Sequence, residues 1–438
     1  MLYRILRAFL SFCLHVMYRR IEAPGSERFP REGGVLLVAN HGNALVDPLL
    51  LLILVPRPIT FLAKHTLFKV PVLGFFLRRI GGLPVYRRHE APELTARNEE
   101  TMDACGRMLV QGGVVCLFPE GVSHDEPKLR ALRTGAARIF FRAAVVGAPP
   151  RVIPAGINYE AKAVFRSRVL VAFGREVDTG DAGEPQPSGV KTLTRRIEAA
   201  LADLVPDLDS WEELRFLRDV RSMFFGRREE SLSAEAASLK RFIQAYRYYR
   251  EKDPQAVAGI RRRWEIYRRQ FRRFGLEESQ VELAGAPVRA ARFLASSLLV
   301  SLLVFPFAAV GFVVHYPAYR ISGELERRFN RHPDMAATYK VTAGVILFAL
   351  TYAIAAALLL LRGGWRTALL GVGFLPLCGW AALRVAEERH RIGEAIGALA
   401  LALRSGKALE KMRAQRREIV ETIARLMRRY PLEAASLR

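Results

Sequence analysis

The chain is poor in cysteine. Its 438 residues hold four, Cys13, Cys105, Cys116 and Cys378. They are scattered, and no two form a CxxC pair or a zinc-type spacing. A disulfide framework and a structural metal site are therefore not expected, and the pattern suits a reducing compartment. A GxSxG stretch is also missing, which argues against a serine hydrolase. No small-residue cleavage site follows the first apolar stretch, so a removable signal peptide is not expected. No repeat of solenoid period runs along the chain. Negative charge is the last shortage. There are 43 acidic residues against 67 basic ones, giving a formal net charge of +24.

Such an excess asks for a polyanionic partner: nucleic acid, anionic lipid or a phosphorylated substrate. Its placement separates these. IRRRWEIYRRQFRRF (260–274) and EKMRAQRREIVETIARLMRRY (410–430) flank a block of long uncharged runs. Lys and Arg in such positions are what the cytoplasmic flanks of membrane helices carry. A phospholipid membrane is the expected partner, and nucleic acid is not.

The uncharged runs are 293–314, 341–361 and 367–383. Two are long enough to cross a ~30 Å hydrocarbon core, and the third sits at the short end of the ~17–25 residue range. RGGWR joins the second and third as a tight hairpin. The first holds Pro306 and Gly311, so it can span with a kink or enter and return. Keeping every basic segment on one side favours the return. Residues 1–20 read as an amphipathic helix lying in the membrane interface.

Between residues 21 and 178 strands alternate with helices. This predicts an α/β domain with a largely parallel or mixed sheet flanked by helices. Residues 179–290 read as a charged helical region, 291–384 as the membrane region with transmembrane helices, and 385–438 as a basic C-terminal helix.

Polar turns interrupt the buried strands. NHGNALVD follows the strand 35–39 and precedes a helix. An imidazole accepts a proton well near neutral pH, and best when a carboxylate fixes its tautomer. His41 and Asp47 are such a pair. LFPEG ends the strand near 114–117. There Glu120 can bind a hydroxyl or position a basic group, and Gly121 lets backbone approach closely. Ligands gather at the carboxyl ends of strands in α/β sheets, so the two turns can share a cleft. GGLPVYRR puts Arg87 at a strand end, where a guanidinium can grip a phosphate. Lys64 adds a point charge. VIPAGINY is a further buried strand, with Pro154 and Gly156. Each feature alone also fits an ordinary cap or turn. SHD (123–125) is not a triad, because adjacent residues do not aim at one another. Cys116 reads as core.

Together the four blocks resemble the glycerophospholipid acyltransferase family. Its Asn-His-to-Asp turn, Gly-x-x-Pro-x-x-Arg block, Phe-Pro-Glu-Gly turn and Val-x-Pro-x-Gly block occur here in that order within Asn40–Ile157. The resemblance covers roughly residues 20–178. It implies His41 as general base and Asp47 as its orienting partner. Arg87, with Lys64 and Arg133, would hold the acceptor phosphate. Glu120 and Gly121 would form the acceptor-binding turn, with backbone N–H groups near Gly121 steadying an oxyanion. Pro154 and Gly156 would lie on the acyl-donor side.

Five residues separate His41 from Asp47, where the commonest pattern has four. NALVDPL and FPEGVSHDEPKLRALRTGAAR resemble the branch that acylates glycerol-3-phosphate or dihydroxyacetone phosphate. The implied reaction moves an acyl group from acyl-CoA or acyl carrier protein, a co-substrate, to such an acceptor. It belongs to phospholipid synthesis at the cytoplasmic membrane face and needs no resident cofactor or metal. Acylation of 1-acylglycerol-3-phosphate or another lysophospholipid is the alternative. A lipid-binding scaffold is the non-enzymatic one.

Overall fold

The computed structural model describes residues 2–79, 81–86, 92–180, 185–226, 231–274, 287–404 and 406–430. The chain divides into two compact units. One comprises Met1–Leu214, Ser231–Ala236 and Phe329–Val341; the other comprises Arg215–Glu230, Ala237–Arg328 and Thr342–Arg438.

The first unit is built on a seven-stranded sheet. Its strands are β1 (Tyr18–Glu22), β2 (Val35–Ala39), β3 (Ile59–Lys64), β4 (Leu83–Val85), β5 (Val114–Leu117), β6 (Arg151–Tyr159) and β7 (Ser167–Phe173), in the order β1-β7-β6-β2-β5-β3-β4. Neighbours are parallel except β6 and β7, so the expected mixed sheet is what forms. VLLVA is apolar throughout because β2 is covered on both faces. Val35, Leu37 and Ala39 point into one core and Leu36 and Val38 into the other. Helices α1 (Leu2–Met17) and α2 (Val46–Leu54) cover the first face. Helices α4 (Arg97–Val110), α5 (Gly135–Val146) and α6 (Pro187–Ala202) cover the second; α3 (Pro71–Arg79) lies between β3 and β4 in the chain.

The N-terminal helix forms but stops short of the expected residue 20. α1 ends at Met17, and Tyr18–Glu22 pairs with β7 as an edge strand. Tyr18 drives the change: its ring is buried beside Tyr159 and its hydroxyl donates to the Lys162 carbonyl at 3.0 Å. α1 is also docked. Leu14 and Met17 enter the core, and the Arg7 guanidinium donates to the Ile53 carbonyl at the end of α2. Ile5, Phe9 and Phe12 stay exposed.

The second unit is helical. It takes in most of α7 (Trp211–Phe225) and α8 (Leu232–Lys252), with α9 (Pro254–Phe274), α10 (Pro287–Phe329), most of α11 (Ala336–Arg404) and α12 (Gly406–Arg429). The two Arg-rich stretches, read from sequence as membrane-surface charge, pack on each other here. Trp264 and Tyr267 of α9 are buried, and Arg263 pairs with Glu418 of α12 at 3.2 Å.

α10 runs unbroken through Pro306 and Gly311, so the chain does not turn back inside the first apolar run. A proline inside a helix loses its N–H bond and crowds the carbonyl four residues back, which an apolar helix tolerates when neighbours pack closely. Gly311 provides such packing: a Cβ there would overlap the Cys378 carbonyl. The expected hairpin is present. α11 breaks at Gly364, whose φ is 75°, and Leu359 then lies against Gly371. Ala290–Phe329 and Pro333–Ala400 are long and apolar enough to cross a membrane.

Gly311→Ala should therefore destabilise the second unit by about 1–3 kcal/mol, the usual cost of overpacking. Gly323, on the same helix, has nothing within 4 Å of an added carbon. Gly323→Ala should leave stability unchanged or raise it by up to ~1 kcal/mol through helix propensity. Thermal unfolding of the detergent-solubilised protein measures both.

Candidate active site

The site is organised around a buried carboxylate. Asp47 sits in the first turn of α2 and is fully buried. Its Oδ2 accepts from His41 Nδ1 at 3.0 Å and from the Asn43 backbone N–H at 2.7 Å. Its Oδ1 accepts from the Tyr159 hydroxyl at 2.5 Å. A buried charge without partners costs several kcal/mol, and these three donors supply that partnership. Burial first, and then the Asp47 charge, holds the Tyr159 hydroxyl well above the usual tyrosine range, so it stays a donor.

A carboxylate only accepts hydrogen bonds, so the proton of His41 belongs on Nδ1. Nε2 is left with its lone pair. The ring stacks on Phe118, centroids 4.0 Å apart and 11° from coplanar, and 14% of the side chain is exposed. The extra residue between His41 and Asp47 does not keep them apart.

The second turn holds a second buried carboxylate. Glu120 Oε2 is hydrogen-bonded to His124 Nε2. His124 Nδ1 accepts the Glu126 backbone N–H at 3.2 Å, which puts the imidazole proton on Nε2, facing Glu120. Glu120 Oε1 is buried and has no hydrogen-bond partner among the described residues. Such an atom costs about 1–3 kcal/mol and suits a donor brought by a ligand. Gly121 has φ 75°, and an added Cβ would meet the Arg133 guanidinium at 2.7 Å. Its N–H donates to the Phe118 carbonyl at 3.0 Å. The turn itself uses that donor.

The two turns are joined directly. The His124 N–H donates to the His41 carbonyl at 3.0 Å. The Lys162 ammonium donates to the Gly42 carbonyl at 2.8 Å and pairs with Asp125 at 2.7 Å. Asn40 ties β2 to β6 by accepting from the Ile157 N–H and donating to its carbonyl.

The other sequence-predicted residues lie as follows. Lys64 is half-buried at the end of β3. Arg133 is exposed, and its N–H donates to the Pro119 carbonyl. Arg87 lies outside the described residues. Pro154 and Gly156 are in β6. The Pro154 carbonyl accepts from the Gly174 N–H, and a Cβ on Gly156 would come within 2.5 Å of Leu204. Their visible contacts are packing contacts. Cys116 is core, and burial pushes its thiol up; Cys105 is pushed up to about 12 by the same cause.

Sequence reasoning missed Tyr159, Asn43, His124 and Lys162. A signal existed for Tyr159. It ends a buried strand in register with Ala155 and Ile157, and a buried tyrosine needs a partner for its hydroxyl.

Tyr159→Phe should destabilise the first unit by about 1–3 kcal/mol, since Asp47 loses a buried donor. The pH dependence has a fixed sign. Folding disfavours ionisation of Tyr159 and Tyr18, both held above the ordinary tyrosine value by burial. The stability they contribute is intact below about pH 10 and is lost as pH rises beyond it. Melting temperatures from pH 8 to 11 should fall steeply at the alkaline end, and less steeply in Tyr159→Phe.

Residues 20–158 match the acyltransferase family, and residues 220–431 match the glycerol-3-phosphate acyltransferase 2 C-terminal domain. Glycerol-3-phosphate O-acyltransferase 1 of Saccharomyces cerevisiae is 23% identical over 99% of this chain and 72% of that protein. Glycerol-3-phosphate O-acyltransferase 2 of the same yeast is 24% identical over 58% of this chain, and only 37% of that protein is covered. A 1-acyl-sn-glycerol-3-phosphate acyltransferase of Borreliella burgdorferi is 26% identical over 31% of this chain and 52% of that protein. Four motif blocks in order, and these relatives, fit the two matches: the chain carries an acyltransferase domain followed by a glycerol-3-phosphate acyltransferase 2 C-terminal domain, and is an acyl-transferring enzyme.

Proposed function

We propose that the chain moves a fatty acyl group from a thioester, acyl-CoA or acyl carrier protein, to a hydroxyl of glycerol-3-phosphate. The observation that carries this reading is the His41–Asp47 pair, whose turn is hydrogen-bonded to the turn of Glu120, where Oε1 has no partner among the described residues. His41 takes the hydroxyl proton as the oxygen attacks the thioester carbonyl. Asp47 holds the tautomer and balances the imidazolium. The C–S bond then breaks, the ester remains, and the thiolate recovers the proton from His41. Glu120 Oε1 accepts a hydrogen bond from the acceptor. Arg87 holds its phosphate, as the family resemblance implies, with Lys64 and Arg133 adding positive charge. The same resemblance puts Pro154 and Gly156 on the acyl-donor side. This chemistry asks for no resident metal or cofactor.

The membrane belongs to the same reading. The two apolar helical stretches and the exposed Ile5, Phe9 and Phe12 of α1 support seating at a bilayer, with the α/β unit on the cytoplasmic face. An acyl product can pass from there into lipid. The Borreliella relative supports a second reading, with 1-acylglycerol-3-phosphate as acceptor. Dihydroxyacetone phosphate is a third acceptor for the same site.

Membranes carrying the protein, given radiolabelled acyl-CoA with each of the three acceptors in turn, should form acylated product with glycerol-3-phosphate. His41→Ala should lower turnover by ~10²-fold or more, as loss of a general base does. Equal turnover by that variant would remove His41 from the role. Product from 1-acylglycerol-3-phosphate alone would establish the second reading.

A further inference from the structure

The segment just before the second apolar run (341–361) is seated on the polar turns of the α/β unit. We infer that residues 334–340 form a strap that positions the catalytic turns, with Thr338 as its central positioning residue. The inference rests on the reading of His41 as base.

The contacts reach both turns. The Asp334 carboxylate accepts from the Ser123 hydroxyl at 2.5 Å, three residues beyond Glu120. The Asp334 carbonyl accepts from the Ala44 N–H at 3.3 Å, between His41 and Asp47. Thr338 Oγ1 accepts from the Leu45 N–H at 3.3 Å and donates to Asn43 Oδ1 at 3.2 Å. Ala337, fully buried, enters the same core as β2 and α2. The Lys340 ammonium donates to the Ala163 carbonyl at 2.7 Å.

These bonds supply what the His–Asp loop lacks. The loop lies beyond the end of β2, so its backbone N–H groups have no strand to pair with, and buried amides need partners. Ala44 and Leu45 find theirs on the strap. Asn43 is fully buried, and its N–H is one of the three donors to Asp47. Thr338 thus holds Asn43, Asn43 holds Asp47, and Asp47 holds His41. The loop is one residue longer than the commonest family pattern, and the amides at its middle are the ones the strap secures.

The test uses the full chain in lipid nanodiscs. It compares wild type, Thr338→Val, Thr338→Ser and His41→Ala, recording kcat, KM for acceptor and donor, and thermal unfolding. Valine keeps the shape of threonine and removes the hydroxyl. Thr338→Val should lower kcat about tenfold or more while both KM values stay within about twofold, as a misplaced reacting group does. Thr338→Ser, which keeps the hydroxyl, should restore kcat to within about twofold of wild type. Wild-type kcat in Thr338→Val, with His41→Ala inactive, would overturn the strap and leave the proposed function standing. A loss that follows the unfolded fraction and is not restored by serine would overturn it in favour of a purely structural role. Absence of transfer by the wild type to any acceptor would overturn both.

Discussion

A carboxylate with no exposure to water has to be paid for inside the fold, and Asp47 dictates much of what surrounds it. Three donors converge on its two oxygens: an imidazole, a backbone amide and a phenol. Each comes from a different part of the chain geometry. His41 leaves the end of β2, Asn43 lies in the loop between, and Tyr159 closes β6. For all three to arrive, β2 and β6 must be neighbours and α2 must start immediately beyond the loop. The sheet order and the Asn40–Ile157 ties secure the first condition. The apolar run of α2, buried from Leu50 to Ile53, secures the second.

The same carboxylate gives the imidazole its direction. With the proton on Nδ1, the lone pair is on Nε2 of a ring stacked on Phe118. The Glu120 turn works in the opposite sense. One oxygen is satisfied by His124 and the other is buried with no donor among the described residues. Every oxygen of the first carboxylate has a donor, and one oxygen of the second has none among the described residues. In the proposed reading, the proton leaves to His41 while Glu120 steadies the acceptor.

The core of this arrangement was legible in the sequence because it is local. A buried strand, a polar turn with His and Asp, and a helix start within thirteen residues of Val35 specify their own geometry. The second turn was legible for the same reason. Tyr159 was not, because it lies 112 residues from Asp47 and depends on strand order. Thr338 was not, at 295 residues from Asn43, on a segment that reads as a plain link between apolar runs. Other differences have physical sources too. Tyr18 turned the end of an apparent helix into an edge strand by burying its ring. The apolar faces of α9 and α12 bring the two Arg-rich helices together, a pairing that charge alone does not announce. Pro306 did not turn the chain, because Gly311 let another helix pack closely beside it.

The account turns on the state of one ring. Nitrogen-15 NMR of histidine-labelled protein in nanodiscs, with the His41 signals assigned by their loss in His41→Ala, would report its tautomer directly. The account predicts that near neutral pH neutral His41 carries its proton on Nδ1, bonded to Asp47, with Nε2 unprotonated. It also predicts that Asp47→Ala abolishes that preference. A proton on Nε2 in the neutral ring, or a tautomer indifferent to Asp47, would contradict it.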